Sequence, residues 1–197
     1  MKHWLAALIV LLSPMASYAG TQRPEAEVQQ KFVSGGTVRM HLEAGGYTVR
    51  PSDGEDVVVT YRAKSPDLLR DVKVEIKVAD ARADVYVSHT PHDNFEATID
   101  VPRRCNLWAR LSAGELKIED VEGDKNVEAL AGEIEIEIPH PEMYGHRDAS
   151  VMMGSVEAPA FEVSKGGLFR SFSQLGPGKY RLHAHVFTGE VDLQDTE

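Results

Sequence analysis

The chain has a single cysteine and none of the motifs that identify common enzymes. Cys105 is the only cysteine among 197 residues, so no disulfide can form within the chain. Its neighbours Val101, Leu107 and Trp108 are apolar, which favours a buried, inert thiol; a disulfide between two chains is the alternative. The sequence contains no G-x-S-x-G, no H-E-x-x-H, no G-x-x-x-x-G-K-[ST] and no C-x-x-C. Cys105 also has no histidine nearby in sequence, which argues against a thiol nucleophile.

The chain has fewer basic than acidic residues. The 21 Lys and Arg face 31 Asp and Glu, and the net charge is −10. This balance argues against nucleic acid or an anionic membrane as partner, because both require clustered Lys and Arg. Aromatic residues make up only 7% of the chain, but 42% of the residues are hydrophobic. That is enough for the core of one domain of ordinary size.

Residues 1–19 have the pattern of a secretory signal peptide. Lys2 supplies the positive charge, Leu5–Leu12 forms the apolar segment, and Ser17–Ala19 fits the small-x-small rule for cleavage after Ala19. The apolar segment is shorter than the roughly 20 residues that span a bilayer. We therefore expect a periplasmic or extracellular protein that does not span the membrane after cleavage. We expect residues 20–31 to be a polar leader and residues 32–197 to form a single domain.

Strand patterns dominate the rest of the chain. Alternating apolar and polar residues with many β-branched side chains predict strands with one buried face. These segments are 57–61 (VVVTY), 72–78 (VKVEIKV), 84–87 (DVYV) and 95–101 (FEATIDV). Residues 65–71 (SPDLLRD) predict one short helical turn, which Pro66 could begin. No long amphipathic helix is predicted after the signal peptide.

Five glycines share one pattern of flanking apolar residues. These residues fall five, three and one positions before each glycine, and two and four positions after it; only Thr188 departs from apolar character. The glycines are Gly45, Gly114, Gly132, Gly154 and Gly189. The change of parity predicts an extra residue at each glycine, where the strand bends and keeps the same face inside. Each phrase is therefore predicted to be strand, corner and strand.

Stacked copies of such a unit would form one continuous core. The sequence therefore predicts an all-β protein with a β-solenoid as its architecture, and the resemblance described below implies the right-handed, single-stranded β-helix-like form of such a stack. The spacing between glycines is 18 residues for Gly114 and Gly132 but longer afterwards, which predicts loops or an additional coil. A β-sandwich built from similar hairpins is the alternative.

Three segments resemble a known family. Leu107–Pro139 (LWARLSAGELKIEDVEGDKNVEALAGEIEIEIP) is similar to the repeats of the putative-adhesin domain DUF4097, found in bacterial envelope proteins. Phe32–Val49 resembles the opening of that domain, and Gly176–Gln194 resembles its closing repeat. The resemblance implies a right-handed, β-helix-like stack with no enzymatic activity, no cofactor and no agreed ligand. The methionines beside Gly154 and the irregular spacing depart from the family pattern.

Two outward-facing groups are candidate cation sites. If the coils stack in register, Glu115 would lie beside Glu133, and Lys117 beside Glu135. This acidic ladder, Glu115, Glu133, Glu135 and Glu190, could bind a cation, a glycan or a polyamine, or be a solvated sheet face. His183 and His185 lie two residues apart and would project together from one face, a spacing that suits zinc if a third ligand is present.

We therefore expect a non-enzymatic envelope module of adhesin-like type, without catalytic, cofactor or metal-binding residues, whose partner is an envelope protein or glycan. A polysaccharide lyase or hydrolase on a β-helix is the alternative, because neighbouring carboxylates can serve glycoside cleavage. Self-association through the open ends of the stack is a further expectation. Residues 161–175, with three phenylalanines, could be core, an end cap or a partner surface.

Overall fold

The computed structural model of the protein describes residues 24–91 and 94–195. The predicted signal peptide lies outside the described residues. Within them the chain is all-β, and its strands form one large mixed sheet that does not close on itself. The first seven strands are β1 (Glu25–Lys31), β2 (Thr37–Leu42), β3 (Gly45–Ser52), β4 (Asp56–Arg62), β5 (Lys73–Ala79), β6 (Arg82–Ser88) and β7 (Glu96–Pro102). The other five are longer: β8 (Asn106–Ile118), β9 (Lys125–Glu137), β10 (Tyr144–Ala158), β11 (Val163–Leu175) and β12 (Tyr180–Gln194).

Helical structure is limited to short turns. Helix α1 (Pro66–Asp71) begins after Ser65, whose hydroxyl accepts a hydrogen bond from the Leu68 amide at 3.4 Å. Two 3₁₀ turns, Pro141–Met143 and Pro159–Phe161, precede β10 and β11. None of the described helices has the length and apolar character needed to cross a membrane.

The predicted strands are confirmed, and part of the segment predicted as a polar leader is itself a strand. All four alternating segments fall on strands, β4 to β7, and the predicted helical turn is α1. The leader, however, forms strand β1 from Glu25 onward and pairs antiparallel with β4. Its polar sequence was misleading because β1 is an edge strand with partly or fully exposed side chains, and such a strand needs few apolar residues.

Each glycine corner bends a strand as predicted. In β8 the buried residues are Leu107, Ala109 and Leu111 before the corner, then Leu116 and Ile118 after it. The parity change is therefore confirmed, and both halves of the strand face the same core. The position directly before the glycine was predicted to point inward, but none of the five residues that occupy it is buried. Met153 and Thr188 occupy this position and are exposed, because side chains on the outside of a bend point away from the core.

The corners divide the sheet into two arms. Arm one contains the strand halves before the corners, flanked by β2, β6 and β5, whereas arm two contains the halves after them, flanked by β3, β7, β4 and β1. Strands β2 and β3 act together as one bent unit, because β8 pairs with β2 before its corner and with β3 after it. The buried side chains of both arms form a single hydrophobic cluster.

The strands stack in an order that differs from their order in the chain. Along both arms the sequence of neighbours is β8, β9, β12, β10 and β11. The first four are parallel, and β11 runs antiparallel to β10. The last strand, β12, thus lies between β9 and β10 instead of at the end of the stack. The long spacing before Gly154 and Gly189 reflects this insertion and the additional strand β11.

The glycines form a continuous column through the stack. Gly45 pairs with Gly114, Gly114 with Gly132, Gly132 with Gly189, and Gly189 with Gly154. At Gly132 φ is +119°, in a range that side chains rarely adopt. A Cβ atom there would overlap the carbonyl oxygen of Gly114 and lie 2.8 Å from its carbonyl carbon. Glycine is therefore required both for backbone conformation and for close strand contact.

Strand β11 covers the end of the stack. Lys165 and Arg170 pair with the buried residues Val156 and Val151 of β10, so they occupy inward positions. The Lys165 Nζ donates to the Ser171 carbonyl at 2.8 Å, and the Arg170 Nε donates to the Gly166 carbonyl at 2.7 Å. Each cation thus reaches from one arm of β11 to the other. The inner face of β11 thus carries these two charged side chains beside the buried Phe172, as expected for the cap of a stack.

Candidate functional site

The acidic ladder lies on the outer face of arm two. As predicted, Glu115 pairs in register with Glu133, and Glu190 lies on the other side of Glu133. Neighbouring strands are about 4.8 Å apart, so Glu133 has a carboxylate on each side. Burial, followed by the charges of Glu190 and Glu115, raises the pKa of Glu133 above its ordinary value. The row therefore concentrates negative charge along the surface.

The outward side chains two residues further along these strands form a second row, whose negative charge is partly neutralised by a lysine. Lys117 lies beside Glu135, as predicted, and its Nζ donates to the Glu135 Oε1 at 2.7 Å. The same Nζ lies 2.9 Å from the Glu137 Oε1. Hydrogen bonds to these two carboxylates raise the pKa of Lys117 above its ordinary value. The lysine side chain is 37% exposed, so the pairs contribute little to stability, about 0–1 kcal/mol each.

A shallow groove of about 350 Å³ runs beside the ladder. Arg62, Glu96, Lys117 and Glu133 are among its lining residues. The Arg62 Nη2 lies 2.5 Å from the Glu96 Oε2, so both arginine and lysine in this groove are paired with carboxylates. The groove is therefore polar and open, and its charges are largely paired within the protein.

The histidine pair lies on the outer face of arm one, as predicted. His183 and His185 are each half-buried, and each contacts a side chain of β10. The His183 Nδ1 lies 2.5 Å from the Asp148 Oδ2, whereas the His185 Nδ1 lies 2.8 Å from the Ser150 hydroxyl. His146 contacts the same Asp148 from within β10, at 3.3 Å. No group of three or more His, Cys, Asp or Glu among the described residues is arranged to hold a metal ion.

Cys105 is buried, as its apolar surroundings predict. Burial raises the pKa of its thiol to about 12, although the charge of Lys125 acts in the opposite direction. A thiol with this pKa is protonated at neutral pH and unreactive. Because the sulfur is enclosed, the alternative of a disulfide between two chains has no support from the geometry.

Sequence reasoning missed a buried cation in the core. Lys125 is 2% exposed, and it lies between Leu107 and Leu182 on the neighbouring strands. Its Nζ donates to the Val121 carbonyl at 2.5 Å and to the Tyr144 hydroxyl. Burial lowers its pKa to about 8. The signal was present, because the glycine pattern extended by two residues places Lys125 at an inward position where its neighbours are leucines.

A second missed feature is a stack of planar side chains on arm one. The rings of His41 and Tyr86 are parallel and 4.8 Å apart, and the ring of Trp108 is 5.0 Å from His41. The guanidinium groups of Arg39 and Arg110 lie 4.6 and 4.1 Å from the Trp108 ring centre. The ring faces therefore contact one another and the arginines, an arrangement typical of cross-strand stabilisation.

Comparison with known proteins finds a solved structure of similar fold. No protein-family model matches the chain, and no curated protein matches it. A structure described as a putative cell adhesion protein from Clostridium sporogenes aligns with a TM-score of 0.56 at 12% identity, over 88% of this chain and 100% of the other. A putative adhesin from Bacteroides fragilis aligns over 88% and 98% of the two chains, at 9% identity and a TM-score of 0.30. The first likeness shows a shared fold, which agrees with the adhesin-like resemblance of the sequence.

Proposed function

We propose that the protein is a non-enzymatic binding or structural module of adhesin-like type that acts in the bacterial envelope. The observation that supports this most directly is the glycine column, which stacks bent strands in register. Because the strands share one register, their outward side chains form continuous rows, such as the acidic ladder. Stacked repeats commonly use extended surfaces of this kind for binding. The fold shared with the cell adhesion structure of Clostridium sporogenes supports the same class.

We also propose that the architecture is best regarded as an open, β-solenoid-like stack. The parallel register of β8, β9, β12 and β10 and the aligned corners support this description. The inserted position of β12 departs from a solenoid whose coils follow the chain. A β-sandwich is the alternative description, because the two arms enclose one common core.

A carbohydrate-active enzyme on the same fold is the competing function. Adjacent rungs give Glu115 and Glu133 a spacing close to the roughly 5 Å used by retaining glycosidases. A general acid, however, needs a protonated carboxyl group in a protected site. Among the described carboxyl groups, Glu133 has a raised pKa, but it lies in an open surface row. This geometry favours a binding or structural role over acid catalysis.

Secretion is the second part of the proposal. It is supported by the signal-peptide pattern of residues 1–19. The proposed location is the periplasm or the cell exterior, and an envelope protein or an envelope glycan is the proposed partner.

The test is saturable binding of residues 20–197 to isolated bacterial envelopes, with turnover measured in parallel on a panel of polysaccharides. We expect retention on the envelope fraction, competed by unlabelled protein, and no release of sugar fragments. Glu133→Gln and Glu157→Gln form a matched pair, since both remove an outward carboxylate and only Glu133 has a carboxylate on each side. Turnover that is lost in the first variant and kept in the second would establish the enzyme and refute the proposal.

A further inference from the structure

The planar side chains on arm one carry hydrogen-bond donors that have no acceptor among the described residues. Tyr86, His41 and Trp108 lie on the adjacent strands β6, β2 and β8, and successive rings are 4.8 and 5.0 Å apart. No described residue hydrogen-bonds to the Tyr86 hydroxyl, the His41 ring nitrogens or the Trp108 ring nitrogen. The described part of the chain has no buried side-chain nitrogen or oxygen without a partner, so solvent reaches these donors.

Arg39 adds an unpaired cation to the same place. Its guanidinium lies 4.6 Å from the Trp108 ring centre, and no carboxylate of the described residues lies within ion-pair distance of it. Asp84 is the register neighbour of Arg39, but the Asp84 carboxylate is paired with the Arg82 Nε at 2.9 Å. We define the donor cluster as Arg39, His41, Tyr86 and Trp108.

A second arginine increases the positive charge around Trp108. Arg110 lies 4.1 Å from the ring centre, and its Nη2 lies 2.6 Å from the Glu128 Oε1. Burial lowers the pKa of Arg110, and the charge of Arg39 acts in the same direction, whereas Glu128 opposes both. Two guanidinium groups therefore share one ring and one carboxylate. A local surplus of positive charge is held in place on a chain whose net charge is −10.

We propose that the donor cluster binds the carboxylate groups of an acidic glycan, an inference that rests on the adhesin-like function proposed above. A guanidinium presents its N–H groups in a planar fork that matches both oxygens of a carboxylate. Contact with the Trp108 ring orients the Arg39 fork before binding, which reduces the entropy lost on binding. The neutral donors of Tyr86, His41 and Trp108 suit the hydroxyl and ring oxygens of the sugars.

The low density of unpaired positive charge disfavours nucleic acid and anionic membranes. Both are bound by clustered Lys and Arg, whereas the donor cluster has one unpaired arginine, with Asp84 and Glu128 nearby on the same face. An acidic glycan carries its charges further apart, and most of its acceptors are neutral oxygens. The acidic ladder lies on the outer face of the other arm, and charges more than about 8 Å away are largely screened at physiological ionic strength.

The composition of this face also disfavours an acidic protein as the partner. Each outward residue of β2, of β6 and of the first half of β8 is polar, charged or aromatic. The buried centre of a protein interface is depleted of charged residues, whereas Arg39, Asp84 and Arg110 lie among the rings here. A flat, hydrated face with fixed donors fits an extended polymer of sugars better.

Fluorescence titration of residues 20–197 with polygalacturonate, alginate and hyaluronate tests the proposal. Trp108 is the only tryptophan after residue 19, so a change in its emission reports on the donor cluster itself. We expect saturable binding of at least one of these carboxylate polymers. The matched probe is its methyl ester, which keeps the sugars and removes the charge, and it should bind at least tenfold more weakly.

Substitutions of the donors separate binding from stabilisation of the sheet. Arg39→Gln should weaken binding about tenfold or more, as expected for loss of a hydrogen bond to a charged group. Arg39→Lys should recover only part of the affinity, since an ammonium lacks the planar fork. Tyr86→Phe keeps the stacked ring and should weaken binding by about two- to tenfold. The control Arg50→Gln removes an equal charge on arm two, where Arg50 is paired with Asp100 at 2.9 Å, and should leave the affinity unchanged. Melting curves verify that each variant is folded.

Three results would overturn the proposal. None of the three polymers could change the emission of Trp108. Arg39→Gln could bind as tightly as the wild type, or the methyl ester as tightly as the acid. Preference for polyphosphate over every carboxylate polymer would assign the donor cluster to phosphate and equally refute the proposal. Retention on bacterial envelopes that survives Arg39→Gln would refute this inference and leave the proposed function intact, whereas a wild-type protein that binds polygalacturonate but no envelope would refute the proposed function.

Discussion

Replacing Gly132 by alanine tests whether the glycine column holds the bent strands together. Gly132 lies in the middle of the column, with Gly114 on one side and Gly189 on the other. Its φ of +119° is far from the regions that alanine occupies readily, and such backbone conformations cost about 1–3 kcal/mol for a residue with a side chain. This part of the penalty arises even if the neighbouring strand moves away.

The second part of the penalty arises from the neighbouring backbone. A Cβ atom on Gly132 would overlap the Gly114 carbonyl oxygen and lie 2.9 Å from the Gly114 amide nitrogen. The obstacle is a strand of the same ladder, so it cannot rotate away as a flexible side chain would. Overpacking of this kind costs about 1–3 kcal/mol. We expect Gly132→Ala to lower the free energy of unfolding by about 3–5 kcal/mol, a large share of the 5–15 kcal/mol typical of a domain.

Two other glycines separate the two parts of this penalty. Gly35 has φ of +83° but open space where a Cβ would lie, and Gly166 has open space without a restricted φ. Gly35→Ala should therefore cost only the backbone part, about 1–2 kcal/mol, and Gly166→Ala should be close to neutral. Urea denaturation followed by circular dichroism measures all three. If Gly132→Ala lost no more stability than Gly35→Ala, close strand contact would not be what requires glycine at the corners.

Three further predictions concern pH, metal and secretion. The pKa of Lys125 is lowered in the folded state to about 8 from 10.5, so between these values the unfolded chain binds more protons and stability rises with pH. The full effect on the free energy of unfolding is about 3 kcal/mol. Lys125→Met should remove this rise, which urea denaturation of the variant and the wild type between pH 7 and 10 measures. The same dependence of stability on pH in both proteins would contradict the burial of the charge. Neither zinc nor calcium should raise the melting temperature of residues 20–197, whereas an increase of several degrees in a thermal-shift assay would reveal a cation site. Mass spectrometry of the secreted protein should give a chain that begins at Gly20, and an intact N-terminus would show that the predicted signal peptide is not cleaved.

The corners could be predicted from the sequence because their cause is local. An alternating strand that changes parity at a glycine must bend if one face is to stay buried, and five flanking patterns repeat this condition. The same frame placed Glu115 beside Glu133 and Lys117 beside Glu135, since strands that share a register bring equal offsets together. Outward residues of the ladder and the histidine pair were therefore assigned to the correct faces.

The stacking order could not be predicted in the same way. All bent strands share one register, so the sequence pattern is compatible with any order of neighbours. The position of β12 between β9 and β10 is decided by contacts between distant parts of the chain. Strand β11 escaped detection for a different reason. Its inward positions hold Lys165 and Arg170, so the alternation that marks the other strands is missing.

The exposure of Met153 was missed because the pattern assigned this residue to the core. The assumption behind it was that every position of one parity points inward up to the glycine. The structure exposes Met153 instead, and it also exposes Leu130 and Phe187, which the pattern had placed on the outer face. Apolar character alone cannot distinguish a core residue from an exposed one at a corner.

The position of β12 also determines when the protein can fold. Strands β9 and β10 do not pair with each other. Both pair instead with the fifteen residues of β12, which lies between them. A nascent or translocating chain that has not yet released residues 180–194 therefore has two separate sheets with open inner edges. Completion of the core therefore requires residues 180–194. A chain that emerges N-terminus first would in this way keep the two sheets apart until residues 180–194 have followed.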